Sequence, residues 1–310
     1  MQTAHLAHLA PFTANDGENL ALYEWQADDA VGGELAPCMT APRGVVLIVH
    51  GLGEHAGRYQ HVASQLMAWG FMVRAYDQRG HGESGGPRGV IPHDIALLDD
   101  LAEVVDFSRN RCHDLLAAFG ADGVPVRVPP LILLGHSLGG LVASCFVALG
   151  TRPVDALVLS SPALDAGLGA VKKMALALAL RVAPQVAVSN GLNPRFLSHN
   201  AQVVADYCAD PLVHSRISPM LGQFIAERGP ATIEAAAHWR LPTLLMYAGA
   251  DHLVDPQGSA RFAAAASGPG VPPGTVTSCC FDAMYHEIFN EDDAADVFNT
   301  LKTWLDARFP

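Results

Sequence analysis

A serine set between glycines, a histidine late in the chain and an aspartate between them are the residues whose types and spacing suggest chemistry. Residues 131–140 read Leu-Ile-Leu-Leu-Gly-His-Ser-Leu-Gly-Gly. Four uninterrupted apolar residues describe a short strand buried on both faces, and Gly135-His136-Ser137-Leu138-Gly139 then fits G-x-S-x-G. A serine at a sharp strand-to-helix turn has its hydroxyl lifted off the sheet, and flanking glycines remove Cβ atoms that would collide there. Ser137 is therefore the candidate nucleophile. The helix predicted from about residue 138 to 149 begins with unpaired backbone N–H groups, which places that of Leu138 to bind a developing oxyanion. A Gly-rich turn that merely joins a strand to a helix would carry the same residues, so the rest of the chain has to supply the partners.

A hydroxyl is a weak nucleophile until a base within hydrogen-bond reach takes its proton, and an imidazole suits because its pKa lies near neutrality. His286, just past a late strand, is the candidate base. The base needs a carboxylate to fix its tautomer and stabilise the imidazolium, and after a G-x-S-x-G elbow the chain order runs nucleophile, acid, histidine. Asp251, at the end of the strand containing Leu244 and Leu245, fits that order. Asp255 competes, but it directly precedes Pro256, and an acid followed by proline is a helix start. Asp282 and Glu287 lie beside the base rather than on a separate strand end. His136 is expected to point away from the substrate side, and His252 to face opposite to Asp251. His50, Glu54 and His55 cluster in sequence without an H-E-x-x-H pairing or a third ligand, so no metal is expected.

The elements that must position these residues follow from periodicity. Asn15-Asp16-Gly17 sits between two alternating stretches, the signal of an antiparallel hairpin. Residues 45–49 are a buried strand ending at His50-Gly51-Leu52-Gly53, a loop whose composition makes the N–H of Leu52 the second oxyanion candidate. A helix over 57–69, a strand over 71–76 and a helix over 95–107 follow, the last with Asp99, Asp100 and Glu103 expected in solvent. After a strand over 156–159 the alternation stops. Residues 164–239 show helical patterns punctuated by prolines and no clear strand. Strands resume at 243–247 and 276–281, and a helix over 293–305 closes the chain. Residues 1–163 and 240–310 are thus expected to form an α/β catalytic domain with a mostly parallel central sheet flanked by helices, and 164–239 an inserted helical cap. In that cap, Met174, Leu176, Leu178 and Leu180 recur every second residue, which turns by about 200° on a helix and spreads them around its circumference. One face should pack inward and another stay apolar, exposed or covered by a partner.

Composition narrows the function. Half of the 310 residues are hydrophobic and 16% are charged, which suits a well-buried core. A net charge of −12 argues against a nucleic-acid partner and against electrostatic attachment to anionic lipid. A neutral or acyl substrate fits better. The six cysteines, at 38, 112, 145, 208, 279 and 280, show no C-x-x-C spacing, as reduced thiols do. The first thirty residues lack a basic stretch followed by an apolar one, and the apolar run 174–180, flanked by Lys172, Lys173 and Arg181, is too short to span a bilayer. A cytoplasmic location is expected.

His50-Gly-Leu-Gly-Glu-His-Ala-Gly-Arg58-Tyr59, Asp77-Gln-Arg-Gly-His-Gly-Glu-Ser84, Gly135-His-Ser-Leu-Gly-Gly140, Gly249-Ala-Asp251 and Tyr285-His286-Glu287 together resemble the monoacylglycerol lipase and lysophospholipase branch of the α/β-hydrolase superfamily. Ser198-His199-Asn200, Tyr207 and Asp210-Pro211-Leu212 are similar to its cap signature. The resemblance implies an α/β-hydrolase fold, Ser137, Asp251 and His286 as triad, Leu52 and Leu138 as oxyanion donors, and Glu54, Arg58 and Tyr207 near an alcohol-side pocket. Leu52 departs from a position where that branch often has a smaller residue. No cofactor is implied. The expected activity is hydrolysis of a single-chain carboxylic ester through an acyl-enzyme, with transient contact between cap and lipid surface. A small-ester carboxylesterase or amidase with the same triad, and a catalytically silent binding protein on the same fold, stay open at this point.

Overall fold

Runs of valine, leucine and isoleucine with no polar interruption have no face to offer water, so they settle between two helical layers. In the computed structural model, which describes residues 4–10, 12–27, 41–119, 127–167 and 169–310, three strands of this kind form the centre of the sheet. These are β5 (Val45–Val49), β7 (Leu131–His136) and β8 (Ala156–Ser160), each buried at every residue. They pair in parallel, Val45 opposite Leu131 and Ile132 opposite Ala156. β6 (Met72–Tyr76) flanks β5, while β11 (Thr243–Ala248) and β12 (Val276–Phe281) extend the other side, all parallel. β4 (Leu22–Ala27) and β1 (Ala4–His8) add on antiparallel beyond β6, giving the order β1-β4-β6-β5-β7-β8-β11-β12. The turn at Asn15-Asp16-Gly17 closes a separate small pair, β2 (Phe12–Thr13) with β3 (Asn19–Leu20). Residues 20–25, the alternating stretch expected as its second arm, run on instead into β4, which pairs with β1 and β6 in the main sheet.

Alternation along each strand divides the core into two layers. Leu131 and Leu133 face α2 (Ala96–Phe119), α3 (Ser137–Ala148), α6 (Pro219–Ala235) and α7 (Pro256–Ala265), whereas Ile132 and Leu134 face α1 (Gln60–Ala68) and α8 (Ala295–Arg308). Truncating one such leucine removes both transfer energy and contacts, at a cost of about 2–5 kcal/mol. Because the central strands are parallel, β5, β7, β8, β11 and β12 all end at one edge, and their following loops gather there.

The helix expected over 95–107 runs on to Phe119, and Asp100 on it is not in solvent. It faces inward and takes a bidentate pair from Arg79, Nε at 2.6 Å and Nη2 at 2.5 Å. Burial holds its carboxyl above the usual range even against the pull of that guanidinium. Acid spacing on an amphipathic helix does not reveal which acid has a buried partner from elsewhere in the chain.

Between β8 and β11 the chain leaves the sheet. It forms α4 (Ala170–Val182), a short turn of helix at Pro194–Phe196, α5 (Ala201–Ala209) and α6. It also contains β9 (Val188–Ser189) and β10 (Arg216–Ile217), antiparallel to each other, in a stretch expected to hold no strand. Two residues are too few to register as alternation. Leu221 and Phe224 of α6 belong to the same buried cluster as α3. The apolar residues of α4 divide into two stripes. Val171, Met174, Leu178 and Val182 recur at helical spacing and are 65–76% exposed, while Leu176 turns inward toward Gly222.

Candidate active site

The joint between β7 and α3 is where the backbone strains. Ser137 has φ of 51°, a left-handed conformation that costs a residue with a Cβ about 1–3 kcal/mol and persists only where surroundings enforce it. They do so by close approach. A Cβ on Gly139 would run into the carbonyl oxygens of Val49 and His50, and one on Gly135 into the backbone of Gly139. The serine therefore stands at a turn that only these glycines permit.

His286 and Asp251 reach this point from the ends of β12 and β11. His286 Nδ1 lies 2.6 Å from Asp251 Oδ2, a charge-assisted distance with both side chains almost fully buried. The other carboxylate oxygen of Asp251 accepts the backbone N–H groups of Leu253 at 2.8 Å and Val254 at 3.1 Å, so its orientation is fixed. With Asp251 able only to accept, Nδ1 carries the proton and Nε2 is left as the basic nitrogen. Burial alone would depress the His286 pKa, but the charge and hydrogen bond of Asp251, with Glu287 and Glu54 beyond, raise it above the usual histidine value. Asp255, the competing acid, caps α7 instead by accepting the N–H of Gln257 at 2.9 Å.

Ser137, His286 and Asp251 line one cavity of about 930 Å³, together with Leu52, Leu138, Glu54 and Tyr207. The loop carrying Leu52 is held from two sides. Glu54 Oε1 accepts the N–H of Gly51 at 2.5 Å and the hydroxyl of Tyr59 at 2.7 Å, and the N–H of His214 donates to the carbonyl of Gly53 at 2.8 Å. Gly53, at φ of 81°, passes so close to the His214 carbonyl that no side chain fits there.

Arg58 corrects an expectation. It does not line the cavity. Its guanidinium lies behind it, giving 2.6 Å to Glu54 Oε2 and a two-pronged 2.7 and 2.8 Å to Glu287, with the Tyr207 ring 4.7 Å above. Two buried glutamates hold it more firmly charged than usual, and despite burial it pulls Glu54 below the ordinary carboxylate range. His136 is also not turned away. It lines the cavity, its ring 4.8 Å from that of His286, with Nδ1 3.1 Å from Ser160 Oγ. Burial, reinforced by His286, lowers its pKa to about 4 and keeps it neutral. Its backbone is still extended, at φ −110° and ψ 137°, and as the last residue of β7 it stands at the strand end where the cavity lies. His252 lines the cavity too, its ring tilted against that of Phe196 with centroids 4.4 Å apart. Leu176, His214 and Ile225, which also line it, carry no chemical motif, and no sequence signal separates them from core residues. His50 and His55 are otherwise engaged, His50 Nε2 accepting the N–H of Gln78 at 2.9 Å and His55 pairing with Asp210 at 2.8 Å. Among the described residues no three His, Cys, Asp or Glu side chains converge as a metal site.

A strained serine sharing one cavity with an aspartate-paired histidine, at the carboxyl edge of a mostly parallel sheet, is the architecture of the α/β-hydrolases. The chain is a serine hydrolase of that fold, an enzyme acting on esters. More closely, residues 40–293 match the model of the serine aminopeptidase S33 family, and the chain belongs to it. Its relatives include the monoacylglycerol lipase of Mycolicibacterium smegmatis, 34% identical over 270 residues that make up 86% of this chain and 89% of that one. Phospholipase YtpA of Bacillus subtilis is 28% identical, covering 92% of this chain and 99% of its own length. The crystal structure of Paleococcus ferrophilus monoacylglycerol lipase superposes with a TM-score of 0.72 at 31% identity, over 86% of this chain and 96% of that one.

Proposed function

We propose that the protein hydrolyses monoacylglycerols through an acyl-enzyme. Ser137 Oγ attacks the ester carbonyl as Nε2 of His286 takes its proton, and Asp251 holds the tautomer and balances the imidazolium. The backbone N–H groups of Leu52 and Leu138 bind the oxyanion. His286 then returns the proton to the departing glycerol, and water repeats the sequence to release the fatty acid.

The division of the cavity carries the substrate assignment. Its lining holds an apolar set, Leu176, Ile217, Ile225 and Val213, and a polar set, Glu54, Tyr207, Asp210 and Glu287. An acyl chain suits the first and a glycerol with free hydroxyls the second. Lys172 is the only lysine or arginine lining the cavity among the described residues, and the charge of Arg58 is already shared by two glutamates. A phosphate beside Glu54, Asp210 and Glu287 would meet three carboxylates with Lys172 as the one lining cation among the described residues, which favours monoacylglycerol over lysophospholipid. A cavity of about 930 Å³ is also large for an acetyl ester. The names of the M. smegmatis and P. ferrophilus relatives agree with this reading.

Residues 164–239 act in this scheme as a cap on the catalytic domain formed by 1–163 and 240–310. The exposed stripe of α4 meets the lipid surface from which substrate is drawn, an amphipathic helix lying in the interface. No described helix is long and apolar enough to cross a membrane, and the five described cysteines are unpaired, which suits a reducing cytoplasm.

The test is a series of 1-monoacylglycerols from acetyl to palmitoyl, set against lysophosphatidylcholine and small soluble esters, with Ser137→Ala as control. The reading predicts a rise in kcat/KM with chain length and a loss on the order of 10⁴-fold in Ser137→Ala, which also escapes labelling by a serine-directed phosphonate. Acetyl esters as best substrates would return the small-ester reading, and an unlabelled wild-type serine the silent binding protein.

A further inference from the structure

Glu291 is a buried carboxylate that the reaction scheme does not use, and it joins two parts of the chain that the scheme needs in register. Oε1 accepts the backbone N–H of Tyr285 at 2.6 Å and Nδ1 of His199 at 2.9 Å. Oε2 accepts the backbone N–H of His199 at 3.0 Å, with the hydroxyl of Ser198 at 3.3 Å. An ionised carboxylate accepts only, so His199 Nδ1 donates to Oε1; the single Ser198 proton goes to the nearer Asn290 carbonyl, 2.8 Å against 3.3 Å.

Tyr285 immediately precedes His286, while Ser198 and His199 lie ahead of α5, in the segment expected as cap. Further contacts run along the same seam. The N–H of Glu287 donates to the carbonyl of Leu197 at 2.8 Å, Ser198 Oγ donates to the carbonyl of Asn290 at 2.8 Å, and Asn200 Nδ2 donates to Asp292 at 2.7 Å. The His199 ring lies flat on Tyr285 with centroids 3.7 Å apart. Among the described residues, no polar contact joins the outer helix α4 to this loop.

We propose that Glu291 is a positioning residue that latches cap residues 198–200 to the loop of His286, so that the base is in register with Ser137 only while this segment is docked. The peptide before His286 is fixed by Oε1, and that oxygen is itself oriented by the cap through His199. Undocking the segment loosens the base, and a loosened base costs turnover. The inference rests on His286 being the general base.

Glu291→Gln keeps the shape but leaves one acceptor oxygen for contacts on both sides, so at least one backbone N–H, of Tyr285 or of His199, meets an amide N–H₂ instead. A displacement of the base of about 1 Å costs on the order of 10²-fold, so kcat is expected to fall by about 10-fold or more on a soluble butyrate ester and on a monoacylglycerol alike, with KM nearly unchanged. Hydrogen exchange at Tyr285, His286 and residues 198–200 should accelerate together, with the central strands unaffected. A role in stability alone would lower the unfolding temperature but leave kcat per folded molecule and the exchange of His286 as in wild type. If Glu291→Gln does not fold, the double variant Ser198→Ala, His199→Phe loosens the latch from the cap side while keeping the ring on Tyr285, and the same fall in kcat is expected. Wild-type kcat in the folded variant overturns the latch. His286→Ala run in parallel separates the two ideas: if it stays active, the base assignment fails, and if it is inactive while Glu291→Gln is normal, only the latch fails.

Discussion

Asp251→Asn tests the charge arrangement most directly, because the structure dictates which way the new amide must turn. In the wild type one oxygen of Asp251 accepts two backbone N–H groups, from Leu253 and Val254, and the other accepts Nδ1–H of His286. Asparagine has a single acceptor oxygen. If it turns the amide N–H₂ toward the backbone, two part-buried N–H groups lose their acceptor at up to about 1–3 kcal/mol each. If it turns the N–H₂ toward His286, only one contact suffers, and the imidazole answers by moving its proton to Nε2. The second arrangement is the cheaper, and it leaves Nε2, the nitrogen free of Asp251, protonated and unable to act as base. Turnover is then expected to fall by about 10³ to 10⁴-fold, roughly 4–5.5 kcal/mol of barrier, with little change in the unfolding midpoint. The assay is kcat on a soluble butyrate ester with protein concentration corrected for folded fraction. Asp255→Asn is the control, since asparagine caps a helix as well as aspartate and the contact to Gln257 survives. Asp251→Asn with more than a tenth of wild-type turnover, or equal losses in both variants, would refute the reasoning.

The two stripes of α4 should separate by activity. Leu178→Asp, on the 65% exposed side, should leave soluble esters unaffected and lower activity on dispersed monoacylglycerol about 10-fold or more, as expected from about 1–2 kcal/mol of lost apolar transfer. Leu176→Asp, on the cavity wall, should impair both; identical behaviour of the two variants would remove the lipid-facing role. The rate should rise with pH through a value above the ordinary histidine pKa of about 6.5, because His286 must be neutral and its pKa is raised; a pH–rate profile of kcat/KM locates the inflection. Stability should decline as pH falls from about 6.5 toward 4, because His50, His81, His136 and His214 have lowered pKa values and bind protons more readily once unfolded. His136, held at about 4, accounts for up to about 3 kcal/mol of that, and the raised pKa of His286 opposes it only in part; urea midpoints across the range measure the sum. Asp100→Ala should destabilise by up to about 3–5 kcal/mol by removing the buried partner of Arg79, which keeps only the more exposed Asp16, read as a fall in the urea midpoint.

The central strands and the elbow were legible in the chain itself. Residues 45–49 and 276–281 are strands over the spans that their apolar or alternating pattern predicts, and the glycines around Ser137 announce a turn that a Cβ would block. Both signals are local, since a strand buried on both faces and a backbone with no room for a side chain leave their mark within a few residues. Contacts closed over long separations leave none. That Asp100 is buried was decided by Arg79. That Arg58 lies behind the cavity was decided by Glu287, 229 residues away, and sequence spacing offers no way to choose between a guanidinium aimed at substrate and one held by two glutamates. The helix α4 shows the same division: its apolar content was plain, but which stripe faces outward depended on where Gly222 of α6 leaves room for Leu176. Residue type fixes what a side chain can do, and only the packed chain decides which partner it has.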